Sequence, residues 1–215
     1  FRFVDIETEI PSGSDTDCYT LRRAIALIPK PDGLPILIDV FDVSGGTVHD
    51  YIVRVNDPDG HFDAGDLAMS NRQHLYEGIA DPGPFGFQTA GRTDDLFTVC
   101  WGDANRVWAH ILTPADEVIT FKSPAWRNRM EVFEEPDRSW DALVLRQVSD
   151  RSRYVVVYEV GGDTPWIERV DSAELSGQVC LHIRSESDGI DLTIGPGTCD
   201  VIRLRQAHQN NRSTH

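Results

Sequence analysis

The side chains of this chain that could move protons gather between positions 49 and 76: His49 with Tyr51, then His61, then His74 with Tyr76. Imidazole titrates near neutrality and a phenol only near pH 10, so a His/Tyr couple can supply a general base and a general acid. His74 and Tyr76 stand two residues apart and would share one face of a strand; the alternative is a solvated loop. His49 follows Gly45-Gly46 and precedes Asp50, so its ring either faces a cleft as a substrate contact or hydrogen-bonds the turn backbone. In Asp59-Gly60-His61-Phe62-Asp63-Ala64-Gly65-Asp66-Leu67, His61, Asp63 and Asp66 could share one divalent ion. No fourth ligand is visible, so no cofactor is expected and a structural divalent metal is the alternative.

Binding is the other chemistry the residues allow. Lysine occurs only at 30 and 122, so nearly all positive charge is arginine, whose fork suits carboxylates and sulfates. Arg127 with Arg129, and Arg151 with Arg153, make small basic spots on a chain of net charge −15. Trp101 and Trp108 lie in apolar contexts and are expected in the core. Trp126 and Trp140 flank a connection rich in Pro, Arg and Glu, where exposed rings could stack on a sugar. The acidic balance excludes nucleic acid and anionic membranes as default partners, since both need a basic footprint. No apolar run approaches the roughly 20 residues of a membrane helix.

The elements that must position these groups read as β-structure. Alternating runs at Phe1–Ile10 and Tyr19–Ile28 precede two more, Ile36–Phe41 and Val48–Val55, on either side of Gly45-Gly46. The last two predict a β-hairpin with Val40, Val43, Val48 and Tyr51 buried. Further strands are expected at 97–104, 106–113, 118–121, 142–147, 154–160, 178–184, 190–194 and 200–206. The span 56–95 is rich in Gly, Pro and Asp and predicts a long functional or mobile loop. With no 3.6-residue apolar stripe, about ten to thirteen short strands imply an all-β antiparallel sandwich of two packed sheets. Its limits are residues 1–206, followed by a disordered polar tail at 207–215. Four cysteines allow three pairings, of which Cys180 with Cys199 is the candidate, because a strand meander could bring them together; four buried thiols need no bond.

The order Asp39-Val40-Phe41-x-Val43-x-Gly45-Gly46-x-x-His49-Asp50-Tyr51, preceded by Arg22-Arg23, resembles the C-terminal β-sandwich region of heparinase II/III-like polysaccharide lyases. Trp108, Val144-Leu145-Arg146 and Tyr154-Val155-Val156-Val157 extend the resemblance over about the first 160 residues. It implies an α/α-toroid partner domain, an acidic polysaccharide cleaved by β-elimination between the two, and a secreted or periplasmic location. The family's catalytic Tyr and His come from the toroid, and a further His from a His-x-His-x-Asp-x-Gly-Ser-Phe motif expected ahead of Phe1. His61, Asp63 and Gly65 copy the second half of that motif, displaced to the far side of the Gly-Gly pair. The implied function is therefore a non-catalytic sandwich that walls the uronic-acid glycan cleft and stabilises the toroid. The alternatives are a lyase subunit active with a second polypeptide, and a free-standing carbohydrate-binding or interaction module.

Overall fold

The computed structural model describes residues 1–11, 18–30, 33–54, 62–72, 87–94, 96–102, 106–124 and 139–205. Among them the chain is all-β, without helix, in three antiparallel sheets. A six-stranded sheet runs β1 (Arg2–Pro11), β2 (Cys18–Pro29), β3 (Pro35–Ser44), β11 (Arg151–Gly161), β8 (Arg106–Ile111), β7 (Phe97–Trp101). A five-stranded sheet runs β4 (His49–Arg54), β10 (Ser139–Gln147), β9 (Glu117–Pro124), β6 (Phe87–Ala90), β5 (Ser70–Arg72). The last sheet is a meander of β12 (Arg169–Leu175), β13 (Gln178–Arg184), β14 (Asp188–Gly195) and β15 (Thr198–Arg205).

The sandwich expected from sequence is present, with one layer more. The six-stranded sheet lies in the middle, and its strands β3 and β11 are buried on both faces. Ile36, Ile38 and Val40 of β3 and Val155 and Val157 of β11 pack on Leu181, Ile183 and Leu192 of the four-stranded meander. From the opposite face, Val43, Tyr154 and Val156 pack on Val118, Leu143 and Leu145 of the five-stranded sheet. Two-sided burial is why β3 and β11 read as nearly continuous apolar runs. Each such Ile, Leu or Val contributes about 1.5–3 kcal/mol by leaving water, which makes these two strands the structural axis of the molecule.

The expected hairpin at Gly45-Gly46 is instead an arch between sheets. β3 pairs with β2 and β11, whereas β4 pairs with β10 in the five-stranded layer. Both glycines take left-handed backbone, φ 96° and 79°, and a Cβ on Gly45 would stand 2.7 Å from the Cys18 carbonyl oxygen. The chain thus leaves one sheet and enters the next without carrying its alternation across the turn. Val40, Val43 and Tyr51 are buried as expected, but Val40 and Val43 serve opposite faces, and Val48 is 48% exposed on the arch.

Strand placement elsewhere departs from the sequence reading in two regions. Within 56–95, β5, β6 and isolated bridges from Asp63 to Cys100 and from Thr93 to Ala115 order parts of what reads as one long loop. β12 is also absent from the sequence expectation, because only Val170 of its seven residues is buried. The tail 207–215 lies outside the described residues.

Candidate functional site

Most of the side chains singled out from sequence fall outside the described residues: His61, His74, Tyr76, Trp126, Arg127 and Arg129. Trp140 is placed on β10 by its backbone alone. His49 opens β4 and is buried beneath the arch, where Nδ1 lies 2.7 Å from the Ser152 hydroxyl and Nε2 2.5 Å from the Gly45 carbonyl oxygen. Its own carbonyl accepts from the Tyr154 hydroxyl at 2.6 Å. Both ring nitrogens are therefore taken up in closing the turn, the second of the two roles that its position after Gly-Gly allowed. Asp63 Oδ1 accepts the Gly65 N–H in a local turn, and Asp66 is exposed. Among the described residues no three His, Cys, Asp or Glu side chains converge as metal ligands.

The Cys180–Cys199 disulfide is corrected. All four cysteines are free. Cys180 pairs in register with Thr193, and Cys199 with Ile194, so β14 runs between the two. Cys199 packs into the core while Leu181 and Ile183, the neighbours of opposite parity to Cys180, do the same. Alternation therefore puts the Cys180 side chain on the outer face of the meander, where two thiols across a sheet cannot meet.

Two polar constellations that the sequence did not announce lie on opposite faces of the middle sheet. In the first, Asp39, on β3 and almost wholly buried, accepts Arg23 Nε and Nη2 at 3.0 and 2.5 Å and the Tyr51 hydroxyl at 2.6 Å. Tyr51 and Tyr158 share a 2.9 Å hydroxyl contact. Burial, the Tyr158 ring and the Asp39 charge all push the Tyr51 phenol up, and burial pushes Tyr158 up. The pair are thus donors at neutral pH and not bases. The Arg23 guanidinium, held charged by its bond to Asp39, covers the Phe41 and Tyr51 rings.

In the second, charges alternate across four adjacent strands and on to the meander: Asp5, Arg22, Asp42, Arg153, Glu174. Arg22 bonds Asp5 at 2.9–3.2 Å, Asp42 at 3.0 Å and the Gly195 carbonyl at 2.9 Å. Arg153 bonds both Asp42 oxygens and stands 2.8 Å from Glu174, although its Nη1 has no hydrogen bond of good geometry. The register produces this ladder, since Arg22 and Arg153 are both direct partners of Asp42. It forms the floor of a cleft of about 500 Å³ between the six-stranded sheet and the meander. Two tight turns overhang it. Ser176-Gly177, both at positive φ, reverse β12 into β13, and Pro196-Gly197 reverse β14 into β15.

This is a three-layer antiparallel β-sandwich. Compared with known proteins, the chain matches no family model, and no curated protein is significantly similar to it.

Proposed function

We propose that this chain is the β-sandwich portion of a heparinase II/III-like polysaccharide lyase, which walls the uronic-acid glycan cleft and stabilises an α/α-toroid that carries the catalysis. The observation that supports it is a sheet face with no layer over it among the described residues. The five-stranded layer packs on β3, β11, β8 and β7, and β1 and β2 project beyond it. On that side Val4, Ile6, Ile10 and Tyr19 are 53%, 61%, 45% and 37% exposed. In register they flank Ile25, Arg23 and Leu21 to make one strip.

The strip is two strands wide and roughly 30 Å long, an area of about 300 Å² from strand rise and spacing. That is too little for a stable dimer alone, where each partner buries about 800 Å², and it suits one part of a larger interface with another domain. Its only charges are Arg2 and Arg23, on a chain of net −15, so the strip is free of the carboxylates that would repel an acidic neighbour. The secreted or periplasmic setting of glycan degradation belongs to the same reading.

The test is ultraviolet detection of unsaturated uronate after incubating the chain with heparin, heparan sulfate and alginate. The chain alone should yield none. Joined to a heparinase II/III-like α/α-toroid it should co-purify, and Ile6→Glu with Ile10→Glu should break the association while the thermal midpoint holds. Product from the isolated chain, lost on His61→Ala or His74→Ala, would overturn the proposal and make the span 56–95 an active site.

A further inference from the structure

We infer that the cleft between the six-stranded sheet and the meander is a binding site for a neutral, polyhydroxylated ligand, a short stretch of uncharged oligosaccharide. It lies on the opposite face of the middle sheet from the apolar strip, and it stands whether or not a toroid covers that strip.

The groups lining the cleft divide into those already bonded to one another and those left free. Asp42 accepts from both Arg22 and Arg153, and Arg22 is further held by Asp5 and the Gly195 carbonyl. Those groups form a rigid, charge-balanced floor. Four other lining side chains have no partner among the described residues: the Arg151 guanidinium, the Glu7 carboxylate, and the hydroxyls of Thr20 and Ser44. They comprise one donor fork, one acceptor pair, and two groups that both donate and accept.

A free set of that kind has no net charge. An anion meets Glu7 and Glu174 as well as Arg151, and a cation meets the reverse, so neither has a clear gain. A sugar hydroxyl, which donates and accepts at once, fits both. Neighbouring hydroxyls match the spacing of a guanidinium or carboxylate edge, and bonds to charged partners are the stronger kind. Pro196 adds apolar contact for the C–H face of a pyranose ring, and 500 Å³ has the size of a small-molecule site.

A glycan array bearing neutral hexose oligomers and uronate oligomers, followed by calorimetric titration of the best ligand, tests this. Saturable binding of a neutral oligomer is expected. Arg151→Ala and Glu7→Gln should each weaken it by about tenfold, the loss of one charge-assisted bond. Because both side chains are unpaired, their thermal midpoints should match the parent, and Arg169→Ala on the far face of the meander should leave binding unchanged. No neutral ligand on the array, tighter binding of uronate oligomers than of any neutral one, or binding that survives both substitutions would overturn the inference.

Discussion

The Tyr51 hydroxyl donates to Asp39 Oδ2 at 2.6 Å, and with the Tyr51–Tyr158, Tyr154–His49 and His49–Ser152 contacts this bond joins the five-stranded layer to the middle sheet through polar groups. Tyr51 belongs to β4 and Asp39 to β3, the two strands that the arch at Gly45-Gly46 sends into different layers. A buried carboxylate needs its acceptor capacity filled. Arg23 supplies part of it from the solvent side and Tyr51 the rest from within.

Tyr51→Phe keeps the ring contacts with Phe41 and Tyr154 and removes only the donor. The expected cost is about 1.5–3 kcal/mol, because the acceptor left behind is charged and buried. Urea unfolding should show the loss as a lower midpoint at unchanged slope. A change below a few tenths of a kcal/mol would mean that Arg23 alone satisfies Asp39.

Acid stability should track Asp5. Burial raises its carboxyl, but the Arg22 guanidinium and the Gly197 N–H outweigh burial and hold it below the ordinary value. The folded pKa thus lies under the unfolded one of about 3.9, so the stabilisation is complete above about pH 4 and is lost as pH falls through the folded value. Asp5→Asn should lower stability by about 1 kcal/mol at pH 7, with the difference from the parent shrinking below pH 4. A constant difference from pH 7 to pH 2 would show that the carboxylate is not the group being titrated.

What the sequence disclosed follows from periodicity. Alternation located β1, β2, β3, β4 and most later strands, and apolar runs on β3 and β11 marked the core. Alternation cannot say which sheet a strand joins, and that is why Gly45-Gly46 read as a hairpin: a tight turn and an interlayer arch use the same two glycines. The disulfide failed for a related reason. Separation along the chain places Cys180 and Cys199 near one another, but parity decides the face, and parity depends on a register that only the folded sheet fixes. The ladder left a faint trace in Asp5, Glu7 and Glu9, carboxylates at period two on an edge strand, yet the cation that Asp5 meets is Arg22 of β2, 17 residues away.

Thiol chemistry gives an independent check on the register. Cys18 is exposed, while burial, aided by Asp63 and Asp200 respectively, pushes the Cys100 and Cys199 thiols up. The thiolate is the reactive form, so iodoacetamide at pH 8 should label Cys18 first and Cys100 and Cys199 last. After unfolding without reductant, all four should be labelled. A peptide joining Cys180 to Cys199 in a non-reducing digest would show that the β13–β15 register is wrong.

The docking of the four-stranded meander should depend on Glu159. It lies near the end of β11, fully buried at 0% exposure, and its oxygens accept the backbone N–H groups of Trp166 and Ile167 at 2.9 and 3.0 Å. Those residues lie just ahead of β12, so one side chain of the middle sheet fixes where the next layer starts. His110 Nε2 stands 3.1 Å and Lys30 Nζ 3.8 Å from the same carboxylate, with Lys30 also donating to the Val160 carbonyl. Removing one member of a buried ion pair leaves the other in a medium that cannot solvate it, at a cost of about 3–5 kcal/mol, whereas replacing both with apolar groups can be nearly neutral. Glu159→Gln should therefore destabilise the protein by about 3 kcal/mol, and hydrogen exchange should rise first in β12 to β15, the layer that loses its anchor. Lys30→Met in the same background should recover part of the loss. If Glu159→Gln unfolds all three layers together, with exchange rising equally in β10 and β13, then the meander is held by its apolar contacts with Ile38, Val155 and Val157 and not by this carboxylate.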